Sequence, residues 1–185
     1  MNTFGGIKKI RLTSNAFLGL IGVFVVAFSI LLLVLLSKKP SELSADSELK
    51  SISRNIRQHF QRDADYRGLN TAYALENNIV PKPLIRANKI FSALGAEILI
   101  GADLSGRPIA PFENTFGIIY KNLNAKKCET LISSEFDAAS GLVAITVSNE
   151  KSSEFSYGGN PALPVSKKAA EETCSAKNTV MFTFE

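Results

Sequence analysis

The sequence is poor in the residues from which catalytic and metal sites are usually built. Among 185 residues there are one histidine, His59, and two cysteines. No Gly-x-Ser-x-Gly motif, phosphate-binding glycine loop or cluster of carboxylates occurs in the chain. The adjacent acids Glu171 and Glu172 would point in different directions on a helix or turn, so they do not form a catalytic pair. The sequence therefore supports no enzymatic activity, no cofactor and no small-molecule substrate.

The positive charge of the chain is not arranged for nucleic-acid binding. The formal net charge is +4, but the basic residues form small, scattered clusters without interleaved aromatic residues. Two of these clusters, at 8–11 and 38–39, flank an apolar run, where lysine and arginine commonly reach lipid headgroups. Membrane lipid is therefore an expected partner, and nucleic acid is not.

The apolar run is long enough to cross a bilayer. Residues 17–36 read FLGLIGVFVVAFSILLLVLL without a charge, and at about 1.5 Å per residue such a helix spans roughly 30 Å. A cleaved signal peptide would be shorter and would end in a small-residue cleavage site, whereas Ser37-Lys38-Lys39-Pro40 follows here. We predict a basic cytoplasmic tail or leader over 1–16 and a single transmembrane helix over 17–37. The charge bias slightly favours a cytoplasmic N-terminus.

Cys128 and Cys174 both follow this run and have no metal-ligand spacing. Such a pair suits an oxidising compartment. If joined, they would close a loop of about 47 residues, for which chain entropy gives roughly 4 kcal/mol. Two buried free thiols are the alternative at this point, and metal binding by the cysteines and His59 has poor geometry.

The remaining residues, 41–185, have the length of one ordinary domain. It begins with apolar residues at helical spacing, which predict an amphipathic helix to about Gln61: Leu49, Ile52, Ile56 and Phe60. We expect the sheet of the same domain to cover this apolar stripe, with a membrane surface or a partner helix as the alternatives. His59, beside the stripe, has the position of a solvated or capping residue.

Four short runs rich in β-branched and aromatic residues predict strands. They are Ala96–Ile100, Phe116–Tyr120, Leu142–Val147 and Thr179–Phe184. A second helix is predicted after Asn124, with Cys128, Leu131 and Ile132 on its inner side. The order of elements predicts an α+β domain in which an antiparallel sheet of about four strands packs on the long N-terminal helix.

Three segments of this layout resemble the type IVb pilins, particularly the plasmid-encoded and enteric kind. They are YRGLNTAYALENNIVPKPLI at 66–85, FGIIYKNLNAKKCETLISS at 116–134 and ETCSAKNTVMFTFE at 172–185. The resemblance implies a structural protein of a type IV pilus, with a span that packs into the filament core. It also implies that Cys128 and Cys174 form a disulfide that bounds an exposed, variable region.

The same resemblance implies a location and partners. A pilin-like chain is held in the bacterial inner membrane by one span, has its C-terminal domain in the periplasm, and joins other pilin subunits or pilus assembly proteins. Such subunits enter extracellular fimbriae that serve in cell adhesion. These expectations cover the chain from Phe17 onward.

The N-terminal part departs from the pilin pattern at one informative position. The resemblance implies a glutamate a few residues into the apolar stretch, whereas in this chain Gly19 lies near that position. The span therefore lacks the carboxylate thought to pair with a neighbour's amine in the filament interior. This favours a minor pilin or an inner-membrane assembly protein. The alternative is a bitopic, membrane-anchored periplasmic binding module of a secretion or envelope complex, outside any filament.

Overall fold

The structure is a computed structural model, and it describes residues 44–102, 114–134, 136 and 140–185. By its internal contacts the chain divides into two units, Met1–Glu42 and Leu43–Glu185, and the described residues all belong to the second. The predicted tail and the predicted transmembrane helix lie outside the described residues. Within the described part, no helix is both long and apolar enough to cross a membrane.

The domain begins with its longest helix, α1, over Ala45–His59. Ser44 caps it by accepting a hydrogen bond from the Ser47 N–H at 3.3 Å, which satisfies one of the free amides of the first turn. Acids in the first turn and basic residues in the last turn match the helix dipole. The helix ends at His59, with Phe60 as its C-cap, close to the end expected from its apolar spacing.

Three shorter helices follow among the described residues, each begun by a polar cap. Helix α2 covers Thr71–Glu76 and α3 covers Ala125–Ile132, capped by Asn70 and Asn124. Helix α4 covers Lys167–Thr173 and is capped by Ser166. A 3₁₀ turn occupies Lys82–Leu84.

Seven strands in the described part of the chain form one antiparallel sheet in the order β1-β2-β3-β4-β7-β5-β6. Their bounds are Ile85–Arg86 (β1), Lys89–Phe91 (β2), Glu97–Gly101 (β3), Phe116–Leu123 (β4), Leu142–Ser148 (β5), Ser152–Ser156 (β6) and Asn178–Phe184 (β7). The last of these strands thus lies between β4 and β5. Its register pairs Phe184 with Phe116 on one side and with Leu142 on the other.

The α+β class and the antiparallel sheet are confirmed, but the expected number of about four strands is wrong. The three additional strands are β1, β2 and β6. Strands β1 and β2 contain two and three residues, too few to show an alternating pattern. Strand β6 reads SSEFS, and Phe155 is its only apolar residue. It lies at the edge of the sheet beside β5, and one apolar residue shows no period in the sequence.

The core lies between α1 and the sheet. The buried apolar residues form one cluster that joins the inner face of α1 to alternate residues of the central strands. On β7 the alternation is complete: Val180, Phe182 and Phe184 are buried, and the residues between them are partly exposed. An edge-to-face contact between Tyr66 and Phe116, with 4.7 Å between the ring centroids, extends the core beyond the end of α1.

Candidate functional site

The two cysteines lie at the junction of two helices. Cys128 is fully buried on α3, and Cys174 is the C-terminal cap of α4. A disulfide joins them, with 5.9 Å between their Cα atoms and a sequence separation of 46 residues. The bond closes a loop that contains β5, β6 and α4. The pairing implied by the resemblance is therefore present, and the alternative of two free thiols is excluded.

Asn178 fixes the start of β7 beside this disulfide. Its side chain is 1 % exposed, and its amide nitrogen donates to the carbonyl oxygens of Leu123, at the end of β4, and Ser175. Its amide oxygen accepts from the Ser175 N–H at 2.8 Å and from the Asn149 side chain at 3.0 Å. A fully satisfied buried amide of this kind specifies one arrangement of its neighbours. Sequence reasoning did not identify it.

The apolar stripe expected on α1 faces the core. Leu49, Ile52 and Ile56 are fully buried, and Phe60 is 8 % exposed. All four belong to the same cluster as the inward side chains of the sheet. In the structure, the sheet of the domain covers this stripe.

The opposite face of α1 is polar and mostly basic. Lys50 and Arg54 are exposed, and Lys50 forms an ion pair with Asp46 at 3.1 Å. A shallow groove of about 480 Å³ runs beside this face, lined chiefly by serines and by Lys50, Arg54 and Arg57.

Glu48 is a buried acid on the apolar side of the same helix. It is 0 % exposed, and its Oε2 accepts a hydrogen bond from the Ala93 N–H at 2.7 Å. Burial raises the pKa of this carboxyl to about 7, although the Ala93 N–H and the nearby Tyr120 hydroxyl act in the opposite direction. Its spacing of four residues from Ile52 places it in the buried stripe, and this spacing was a usable signal that the sequence reasoning missed.

His59 contacts two neighbouring aromatic residues. It is exposed, and its Nε2 lies 2.9 Å from the Tyr73 hydroxyl, with its ring against Phe60. Within the described part of the chain, no group of three His, Cys, Asp or Glu side chains could hold a metal ion. Glu171 and Glu172 are exposed. The described residues thus assemble a disulfide-bounded surface and a helix face, and no catalytic constellation.

The comparisons with known proteins agree with this architecture. A family model described as PilS N terminal matches residues 41–185. The crystal structure of the type IVb pilin from Salmonella typhi is similar with a TM-score of 0.51 and 15% identity, over 74% of this chain and 97% of that one. The structure of TcpA, a type IV pilin from Vibrio cholerae El Tor, is similar with a TM-score of 0.50 and 16% identity, over 80% of this chain and 100% of that one.

No curated protein sequence matches the chain. At such low identity the two solved pilins establish the fold alone, and the match to the family model covers most of the chain, including α1, the sheet and both cysteines. The chain therefore belongs to the PilS family, and its domain has the fold of the type IVb pilins.

Proposed function

We propose that this protein is a structural, non-enzymatic subunit of a type IVb pilus that is present in few copies, at the tip or among the inner-membrane assembly proteins. The observation that carries the proposal is the fold of the domain. A long N-terminal helix packs on an antiparallel sheet, and a disulfide bounds the region between Cys128 and Cys174. The family match supports a pilin-like role.

The proposed anchor is the apolar run 17–36, with the domain 41–185 in the periplasm. The disulfide is consistent with that compartment, because such bonds persist outside the reducing cytoplasm. In this arrangement the basic outer face of α1 would meet neighbouring pilin subunits. We propose no ligand, metal or nucleic acid for the domain.

Gly19 is the reason for proposing a low copy number. At the tip no subunit lies above, so a span without the expected glutamate leaves no neighbouring amine without its counter-charge. Along the shaft each neighbour's amine would lose its counter-charge in an apolar interior, which costs several kcal/mol. A repeated position in the shaft is therefore unfavourable for this chain.

Quantitative mass spectrometry of sheared, purified filaments tests the proposal. We expect the protein in the filament fraction at a small share of the main subunit, or in the inner membrane with assembly proteins. A share near that of the main subunit would refute the low copy number. Absence from filaments and from assembly complexes would favour the anchored binding module.

A substitution in the span separates the role of the missing acid from other effects. Gly19→Glu should raise incorporation into filaments if the missing carboxylate limits it. Gly22→Glu is the matched control, because it adds the same charge one turn further along the apolar run. Equal effects of the two variants would show that the position of the acid does not matter. Intact mass and N-terminal sequencing of the native protein would establish in parallel whether its leader is removed.

A further inference from the structure

Glu48 lies where the first turns of α1 dock on the rest of the domain. Its carboxyl contacts the turn between β2 and β3 through the Ala93 N–H, and it lies beside the Tyr120 hydroxyl of the central strand β4. Tyr120 is also 0 % exposed. The carboxyl thus connects the helix to two parts of the sheet layer, out of contact with water.

Three buried polar atoms at this place have no hydrogen-bond partner among the described residues: Glu48 Oε1, Tyr120 Oη and Asp46 Oδ1. An ionised carboxylate offers acceptors only, and burying its charge with neutral donors alone is costly. A protonated carboxyl can instead donate to a neighbouring oxygen. The Tyr120 hydroxyl can donate to Glu48 in either form of the carboxyl and by itself favours the ionised form. The advantage of the neutral form is therefore the absence of a buried charge.

The charged side chains on the elements next to Glu48 have partners of their own. On α1, Asp46 Oδ2 pairs with Lys50, and on β3 Glu97 pairs with Lys89 at 2.9 Å. From α3, Lys127 donates to the Leu94 carbonyl oxygen at 2.6 Å, in the turn that carries Ala93. The hydrogen bond that Glu48 does accept comes from a neutral backbone N–H.

We propose that Glu48 is a proton-operated latch: in its neutral form it holds the first turns of α1 on the sheet, and ionisation of this buried carboxyl loosens them. The segment affected, 45–53, is the part of the domain that follows the predicted membrane anchor. The pH outside the cytoplasm would then set how firmly the domain holds its helix. Control by the pH outside the cytoplasm rests on the proposed location of the domain, but the latch itself does not.

The direction of the effect follows from linkage. With α1 docked, burial raises the pKa of Glu48 to about 7 from its ordinary value of 4.5. Between these two values the docked state binds a proton that the released state has lost. Docking is therefore strongest below pH 4.5, weakens as the pH rises to about 7, and stays constant above that value.

Hydrogen exchange of the full-length chain in detergent measures this directly. After correction for intrinsic exchange rates, protection of the amides in 45–53 should fall about tenfold between pH 6 and pH 8. In Glu48→Gln, a neutral isostere, this fall should disappear. In the matched control Glu97→Gln, a partly exposed acid of the neighbouring strand, it should remain. An equal fall in the wild type and in Glu48→Gln would overturn the proposal.

A second measurement covers the case in which Glu48→Gln does not fold. Infrared spectroscopy of the folded wild-type chain with labelled glutamate should show the band of a neutral carboxylic acid at pH 6 that disappears on titration to pH 8. Tyr120→Phe should move that transition while Glu97→Gln leaves it in place. A spectrum with every glutamate ionised at pH 6 would refute the latch whatever the filament experiments show.

Discussion

At the scale of single residues, Gly141 has a backbone conformation that a residue with a Cβ would adopt only with strain. Its φ of +72° lies in the left-handed region, and a Cβ there would meet the Arg57 guanidinium and lie 2.8 Å from the carbonyl oxygen of Glu185. Its own carbonyl oxygen accepts from the Glu185 N–H at 2.9 Å. The glycine therefore allows the C-terminal end of β7 to close against the start of β5.

We expect Gly141→Ala to reduce the free energy of unfolding by about 2 to 4 kcal/mol, since it combines left-handed strain with a steric clash. Gly158 is the matched control: its φ is also +72°, but no atom of the described residues outside its chain neighbours lies within 4 Å of the place that a Cβ would take. Gly158→Ala should therefore cost only about 1 to 2 kcal/mol of strain. Denaturant unfolding followed by the near-ultraviolet circular dichroism of the tyrosines measures both. Equal losses would mean that the contact with Glu185 carries no cost.

Sequence reasoning at this scale identified the residues with strong chemical signatures and missed those defined by their surroundings. The cysteines and the apolar residues of α1 are visible in the sequence. Glu48 and Asn178 resemble ordinary surface residues in the sequence, because their hydrogen-bond partners Ala93 and Leu123 lie 45 and 55 residues away along the chain. Only the spacing of Glu48 from Ile52 hinted at its burial.

At the scale of elements, α1 separates its two faces sharply enough for a direct test. Ile56 is fully buried, whereas Arg54 is exposed two residues away on the same helix. Ile56→Asp places a charge in the core, so it should abolish the cooperative unfolding transition of the domain. Arg54→Asp introduces the same residue into the same helix and should change the stability by about 0.5 kcal/mol or less. Thermal melts of the full-length chain compare them.

An unchanged transition in Ile56→Asp would show that the stripe packs on something other than the sheet. Collapse of both variants would show instead that aspartate disrupts the helix itself. The comparison therefore isolates burial from helix propensity.

The elements that could be predicted are those with enough residues to show a period. Helix α1 and the strands β3, β4, β5 and β7 each contain five or more residues with a clear apolar pattern. The short β1 and β2 have none, and α4 reads KKAAEET, which has only alanines to bury. Strand β4 extends beyond its expected end at Tyr120 to Leu123, through an irregularity at which Asn122 has a φ of +59°.

At the scale of the whole molecule, the order of strands could not be predicted, because it depends on contacts between distant parts of the chain. Strand β7 is the last of the described strands in chain order, yet it pairs with β4 and β5 within the sheet. Until β7 is in place, β3 and β4 on one side and β5 and β6 on the other have no shared hydrogen bonds within the described sheet. The stability of the domain therefore depends on bringing β7 to the correct position.

The disulfide and Asn178 act together at that point. Cys174 precedes β7 by four residues and is bonded to Cys128 on α3, which directly follows β4. The Asn178 amide then bonds the end of β4 at 3.1 Å. The crosslink thus holds the start of β7 beside its partner strand and also limits the freedom of the unfolded chain.

We expect the double variant Cys128→Ala and Cys174→Ala to lose about 4 kcal/mol of unfolding free energy, the chain-entropy value for a loop of this length. That is a large share of the roughly 5 to 15 kcal/mol available to a domain. Denaturant unfolding with and without a reductant measures it: the reductant should lower the stability of the wild type to that of the double variant and leave the variant unchanged. The two cysteines should also appear as one linked peptide pair in a non-reducing digest. A loss below about 1 kcal/mol would mean that Asn178 and the strand pairing alone position β7, because the entropy of the closed loop would then contribute little to the native fold.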